Sequence, residues 1–169
     1  YISQADIKAR ILELAAKIND DYAGIDLTLI CTLKGSIVFF TDLIRELRMP
    51  VHCEFIGTSS YGNSTESTGE IKVTLDLNEP LIDKHVLIVE DIVDTGLTLA
   101  YLIDYLKVRK PASLRTVSLL HKPEALKVKT LKMDYIGFQI PNKFVVGYGL
   151  DYAEKFRGLP YIGYLENEH

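Results

Sequence analysis

The chain reads as an α/β domain, a mostly parallel central sheet flanked by helices. Short apolar runs bounded by turn residues alternate with segments whose apolar residues recur every three or four positions. Residues 27–33, 86–89 and 114–120 are short, mostly apolar runs that read as buried central strands. That alternation favours parallel strands joined by right-handed crossovers.

Ser3 and Asp6 stand as in a capping box, and Ile7, Ile11, Leu14, Ala15 and Ile18 follow at helical spacing, so a helix opens the chain. Residues 27–33 form a buried strand. Residues 36–48 form an amphipathic helix stopped before Pro50, and 51–56 a second strand. From Gly57 to Gly69, ten of thirteen residues are Gly, Ser or Thr without periodicity, which predicts a lid or binding loop. Residues 71–77 alternate like a half-buried strand. Residues 86–89 and 114–120 are central strands with a helix over 97–108 between them, and 135–140, 144–147 and 161–165 are short strand candidates. With no internal repeat and no linker, 1–169 reads as one domain.

The 169 residues suffice for a substantial core, and the 47% hydrophobic and 25% charged fractions are those of a globular protein. A formal net charge of −4 supplies no basic surplus for a nucleic-acid backbone, so no nucleic-acid partner is expected. No apolar run approaches the ~20 residues of a membrane span. Cys31 and Cys53 lie inside apolar runs, which predicts buried free thiols in a reducing compartment and a cytoplasmic protein. The chain begins at Tyr1, which leaves open what precedes it.

In sheets of this class ligands bind beyond the carboxyl ends of the strands. The residues to weigh are therefore 34–36, 90–98, 121–122 and the segment 143–157. In VLIVEDIVDTGLTL (86–99) a strand ends in Glu90, Asp91 and Asp94 and turns through Thr95, Gly96, Leu97 and Thr98 into a helix. A helix N-terminus attracts phosphate, which neighbouring carboxylates repel unless they serve sugar hydroxyls or a metal. A ligand carrying phosphate, polyol and metal together resolves the conflict. A solvated, helix-capping acidic turn and the metal site of a phosphatase or receiver domain are the competing readings. Taken alone, Lys34 and Lys122 read equally as surface lysines, Phe144 as a core aromatic, and Asp151 with Arg157 as a surface ion pair.

VLIVEDIVDTGLT (86–98) resembles the phosphoribosyl-pyrophosphate motif of the type I phosphoribosyltransferases. The resemblance extends through LKGS (33–36), SSYGNSTESTGEIKV (59–73), LLHK (119–122) and PNKFVVGYGLDYAEKFRGLPYIG (141–163). It covers most of the chain in the family's order, and the last block is similar to the branch acting on hypoxanthine and guanine.

The resemblance implies the type I phosphoribosyltransferase fold, with a small hood from the N-terminal segment and the region after about 141, and a mobile loop over about 57–70. It implies purine salvage: a pentosyl transfer from phosphoribosyl pyrophosphate to hypoxanthine or guanine, giving IMP or GMP and pyrophosphate, with Mg2+. A xanthine-preferring enzyme and a regulator of the same fold are the alternatives. Glu90 and Asp91 would hold the ribose hydroxyls, with a metal role open to both, and Asp94 would be the general base at purine N7. Thr95, Gly96, Leu97 and Thr98 would bind the 5′-phosphate, and Lys34 and Gly35 the pyrophosphate, with a cis Leu33–Lys34 peptide. Lys122 would meet the 6-oxo group, which suits a side chain that only donates. Phe144 would stack on the base, Val145 and Asp151 would offer carbonyls to a 2-amino group, and Asp151 would ligate Mg2+. Arg157 would clamp pyrophosphate, and Ser60 and Tyr61 would close over the site. Partners would be the donor, the 6-oxopurine and further copies of the chain as homodimer or homotetramer.

Overall fold

Strands and helices alternate as expected. The computed structural model describes residues 1–60 and 70–166. The elements are α1 (Gln4–Asp21), β1 (Leu27–Leu33), α2 (Ile37–Ile44), β2 (Val51–Ser60), β3 (Ile71–Leu75), β4 (His85–Val93), α3 (Leu97–Lys107), β5 (Ser113–His121), β6 (Tyr135–Gln139), β7 (Val145–Val146) and β8 (Gly163–Tyr164).

The Ser3 hydroxyl accepts the Asp6 N–H at 3.1 Å and starts α1, whose buried face is Ile7, Ile11, Leu14, Ala15 and Ile18. The helix expected over 36–48 is shorter. Past Ile44 the N–H groups of Glu46 and Leu47 bond three residues back, to Leu43 and Ile44, and tighten the chain. Asn19 of α1 then takes over the backbone, donating to the Glu46 carbonyl and accepting from Arg48 N–H.

Six strands form one sheet in the order β3-β2-β1-β4-β5-β6, with β2–β3 antiparallel and the other pairs parallel. Side chains alternate between its faces. Leu29, Cys31, Leu87 and Val89 join the core under α1 and α2, whereas Ile30, Val86 and Ile88 join the one under α3. After β1 the chain winds outward to β2 on one side, and after β4 outward to β5 on the other. The ends of β1 and β4 therefore flank the switch point at which such sheets open a crevice.

Two strands outrun the sequence reading. β2 continues through Ser60, so residues 57–60 of the expected loop pair with β3 instead; residues 61–69, with Tyr61, lie outside the described residues. β4 runs to Val93 because β5 keeps pairing with it, Val93 opposite His121. Glu90 and Asp91 thus belong to the strand, and Asp94 is the first residue beyond it.

β7 and β8 pair antiparallel. Ile2 exchanges two backbone hydrogen bonds of 3.0 Å with Ile162, and the Tyr1 ring stacks on Tyr164 at 4.1 Å. The start of the chain is thereby tied to the region after residue 141. Cys31 is buried as expected, but Cys53 is exposed, because the beginning of β2 has little cover on either face. No helix among the described residues is long and apolar enough to cross a membrane.

Candidate active site

A cleft of about 280 Å³ opens at the switch point, lined by the ends of β1 and β4, the start of α3, and Thr58 of β2. Glu90 and Asp91 form its floor. Glu90 is buried, 6% exposed; its Oε2 accepts the Thr32 hydroxyl at 3.0 Å, and its Oε1 has no partner among the described residues. Burial first, and then the Asp91 charge, push the Glu90 carboxyl well above the usual carboxylate range. Asp91 is raised as well, chiefly by burial, against the pull of its hydrogen bond from Ile92 N–H and of Arg157. Two adjacent carboxylates with little water around them suit a ligand that brings hydroxyls or positive charge.

Gly96 sits at the start of α3 with φ +84°, and a Cβ there would lie 2.8 Å from Leu126. The positive φ is what requires glycine there, since the Leu126 methyl could move aside. The first intrahelical bond runs from Ala100 N–H to the Gly96 carbonyl, and Leu97 N–H is met by the Thr95 hydroxyl at 3.3 Å. The N–H groups ahead of that bond are the orphans of a helix start, and Thr95, Gly96 and Thr98 of the same turn line the cleft.

Asp94 lies half exposed at the mouth, and Lys122 reaches it from the end of β5, Nζ to Oδ2 3.3 Å. Lys122 is 5% exposed, held by its N–H on the Val93 carbonyl. Its ammonium is thus delivered to one place. Phe144 precedes β7, 48% exposed, with the Tyr152 ring edge-on at 5.8 Å. That exposure excludes the core-aromatic reading.

The Leu33–Lys34 peptide is cis. A Cβ on Gly35 would lie 1.9 Å from Asp91 Oδ2, and one on Gly149 2.3 Å from the Gly35 carbonyl. The β1 turn is therefore pressed between β4 and the C-terminal block. Arg157 donates to the Gly149 carbonyl at 2.8 Å and approaches Asp151 and Glu154 at 3.4 Å. Lys34 lies 3.5 Å from Glu154, and Asp151 Oδ2 accepts the Glu154 N–H.

The phosphoribosyl transferase domain family matches residues 3–153. The chain belongs to the phosphoribosyltransferase family. Hypoxanthine-guanine phosphoribosyltransferase of Bacillus subtilis is 44% identical over 165 residues, 98% of this chain and 91% of that one. A crystal structure of hypoxanthine-guanine phosphoribosyltransferase from Bacillus anthracis superimposes with a TM-score of 0.93 at 46% identity, covering 98% and 97% of the two chains. Bifunctional protein TilS/HprT of Listeria monocytogenes is 45% identical over 99% of this chain, which spans 26% of that protein's length. The mostly parallel sheet with helices on both faces is the type I phosphoribosyltransferase fold.

This phosphoribosyltransferase gathers Lys34, Gly35, Glu90, Asp91, Asp94, the 95–98 turn, Lys122, Asp151 and Arg157 around one sheet edge. Val145 is buried, paired with Tyr164, so its main chain rather than its side chain is what it can offer. Ser60 stands at the exposed end of β2. Thr32 was not singled out in the sequence, and Ser36 and Glu154, though inside the segments weighed, were given no role. Thr32 is a polar residue inside an otherwise apolar strand, which was a signal; Glu154 carried none.

Proposed function

We propose that this phosphoribosyltransferase moves the 5-phosphoribosyl group from phosphoribosyl pyrophosphate to hypoxanthine or guanine. The observation that carries the reading is the Lys122–Asp94 pair at 3.3 Å, standing where β4 passes into the phosphate-binding start of α3. A purine N9 bonds to ribose C1 as the C1–pyrophosphate bond breaks, and the base proton passes to Asp94. Lys122 donates to the 6-oxo oxygen, whereas adenine's 6-amino group would face it with another donor. Phe144 stacks on the base, the Asp94–Thr98 turn holds the 5′-phosphate, and Glu90 and Asp91 hold the ribose. Lys34 and Arg157 neutralise the leaving pyrophosphate, and Ser60, Tyr61 and the 57–70 loop cover the site.

The residues also fit Mg2+. No group of three or more His, Cys, Asp or Glu able to hold a metal occurs among the described residues. Mg2+, however, is commonly held by one or two carboxylates together with substrate oxygens, and Asp91 and Asp151 stand near enough for the Asp151 charge to raise the Asp91 carboxyl. Asp151, or Glu90 with Asp91, would hold the ion, which would offset charge on the departing pyrophosphate. The segment tied by Ile2 and Ile162 is the hood in this reading, the compartment the cytoplasm, and the working unit a homodimer or homotetramer.

The test is a panel of hypoxanthine, guanine, xanthine and adenine with donor and Mg2+. Turnover of the first two is expected; turnover of adenine alone, or none, rejects the reading, and a preference for xanthine corrects the base. Asp94→Asn is expected to lower kcat by about 10²–10⁴-fold, the usual worth of a general base, while the dissociation constant of the donor stays put. An unchanged kcat removes Asp94 from the proton transfer.

A further inference from the structure

Ser36 occupies the N-cap position of α2, where a serine hydroxyl ordinarily accepts a helix N–H, yet it makes no such bond. Its Oγ, wholly buried, lies 2.7 Å from Thr32 Oγ1 instead. Thr32 is also buried, and its hydroxyl reaches Glu90 Oε2 at 3.0 Å and the Val89 carbonyl at 2.9 Å. A threonine hydroxyl has one hydrogen. Because the Val89 carbonyl and Glu90 Oε2 can only accept, the Thr32 hydrogen is engaged between them and the Ser36 hydroxyl donates from behind, which strengthens both bonds. The chain Ser36–Thr32–Glu90 links the pyrophosphate turn after β1 to the acid of β4 across the parallel pair at the switch point.

The outcome is an asymmetric carboxylate, Oε2 fixed by Thr32 and Oε1 without a partner. A buried acceptor left open is costly unless something else completes it. We infer that Thr32 and Ser36 are positioning residues that hold Glu90 by one oxygen and reserve the other for a hydroxyl of the donor's ribose. This rests on the donor reading above. Neither residue touches the reacting atoms; both act through Glu90.

The experiment is calorimetric titration with phosphoribosyl pyrophosphate and Mg2+, which needs no turnover. Failure of the unaltered protein to bind the donor overturns the functional reading itself. Given that binding, Thr32→Val keeps the side-chain shape, removes the hydroxyl, and is expected to weaken the donor about ten-fold, as loss of a hydrogen bond to a charged group does. Thr32→Ser is expected to restore affinity, and the KM for the base is expected to stay unchanged. In a Glu90→Gln background, Thr32→Val is expected to have little further effect, because the two act as one unit. Ser36→Ala, read the same way, serves should Thr32→Val fail to fold. Wild-type donor affinity in Thr32→Val, or an equal loss in the Glu90→Gln background, overturns the proposal.

Discussion

Glu154 bears on two cations at once, with oxygens 3.5 Å from Lys34 Nζ and 3.4 Å from Arg157 Nη2. Ala153 and Glu154 adopt φ of 49° and 65°, a region that non-glycine side chains rarely occupy. In the proposed reading, where Lys34 and Arg157 meet the donor's pyrophosphate, the Glu154 carboxylate competes with it for both cations. Both Lys34 and Glu154 are about two-thirds exposed, so each contact is worth about 0.2–1 kcal/mol at most. Glu154→Gln keeps the backbone requirement and removes the charge. The KM for the donor is expected to fall about two- to five-fold, the kinetic equivalent of such a pair, with kcat and melting temperature nearly unchanged. A rise in KM would mean that Glu154 orients the cations rather than occupying them. At this scale Lys34 and Arg157 were legible because they stand in motifs. Glu154 stands in the same block as Arg157, but its contact was not legible, since it depends on how the 147–157 block folds back onto Gly35.

Among the elements, β3 is held to the far side of the sheet by a side-chain cluster. Asp76, just past the strand, accepts from Tyr105 at 2.5 Å and from Arg109 at 2.9 Å, both on or just after α3. The Tyr105 hydroxyl, then the Leu77 N–H and Arg109, hold its carboxyl below the usual range despite some desolvation. A carboxylate with a lowered folded pKa adds stability above its unfolded pKa and loses it as pH falls through the folded one. Asp76→Asn is therefore expected to cost about 0.5–1 kcal/mol at pH 7, a figure discounted because the side chain is half exposed. Urea melts at pH 7 and pH 3 check it: the deficit narrows at pH 3, and a deficit of equal size there means the charge is not responsible. Element positions came through the sequence well, because apolar runs and helical spacing report burial directly. Element ends came through less well. β4 reads as stopping at Val89 because Glu90 and Asp91 are acidic, and only the pairing of β5 shows that acids sit within the strand.

For the molecule as a whole, topology brings four separated motifs, 33–36, 86–98, 119–122 and 141–163, to one sheet edge, and the last of them is tied to the chain's own beginning. Strand order was open in the sequence beyond its parallel character, since register and neighbours are set by long-range packing rather than by periodicity. The Ile2–Ile162 pairing belongs to that class. Ile162 is wholly buried, in the core layer that also contains Val145, Tyr148 and Leu150, and its segment carries Phe144, Asp151 and Arg157. Ile162→Ala is expected to cost about 2–5 kcal/mol through the cavity it leaves, which lowers the melting temperature by about 5–15 °C for a chain of this size. Because that loss falls on the segment carrying Phe144 and Arg157, which the proposed reading sets against the base and the pyrophosphate, KM for both substrates is expected to rise as well. Leu106→Ala is the control: equally buried, on α3 in the layer under the opposite face. It is expected to lower the melting temperature by a similar amount and leave both KM values in place. Equal KM changes in the two variants would show that substrate binding follows global stability, and that the tie between chain start and C-terminal block has no separate part in it.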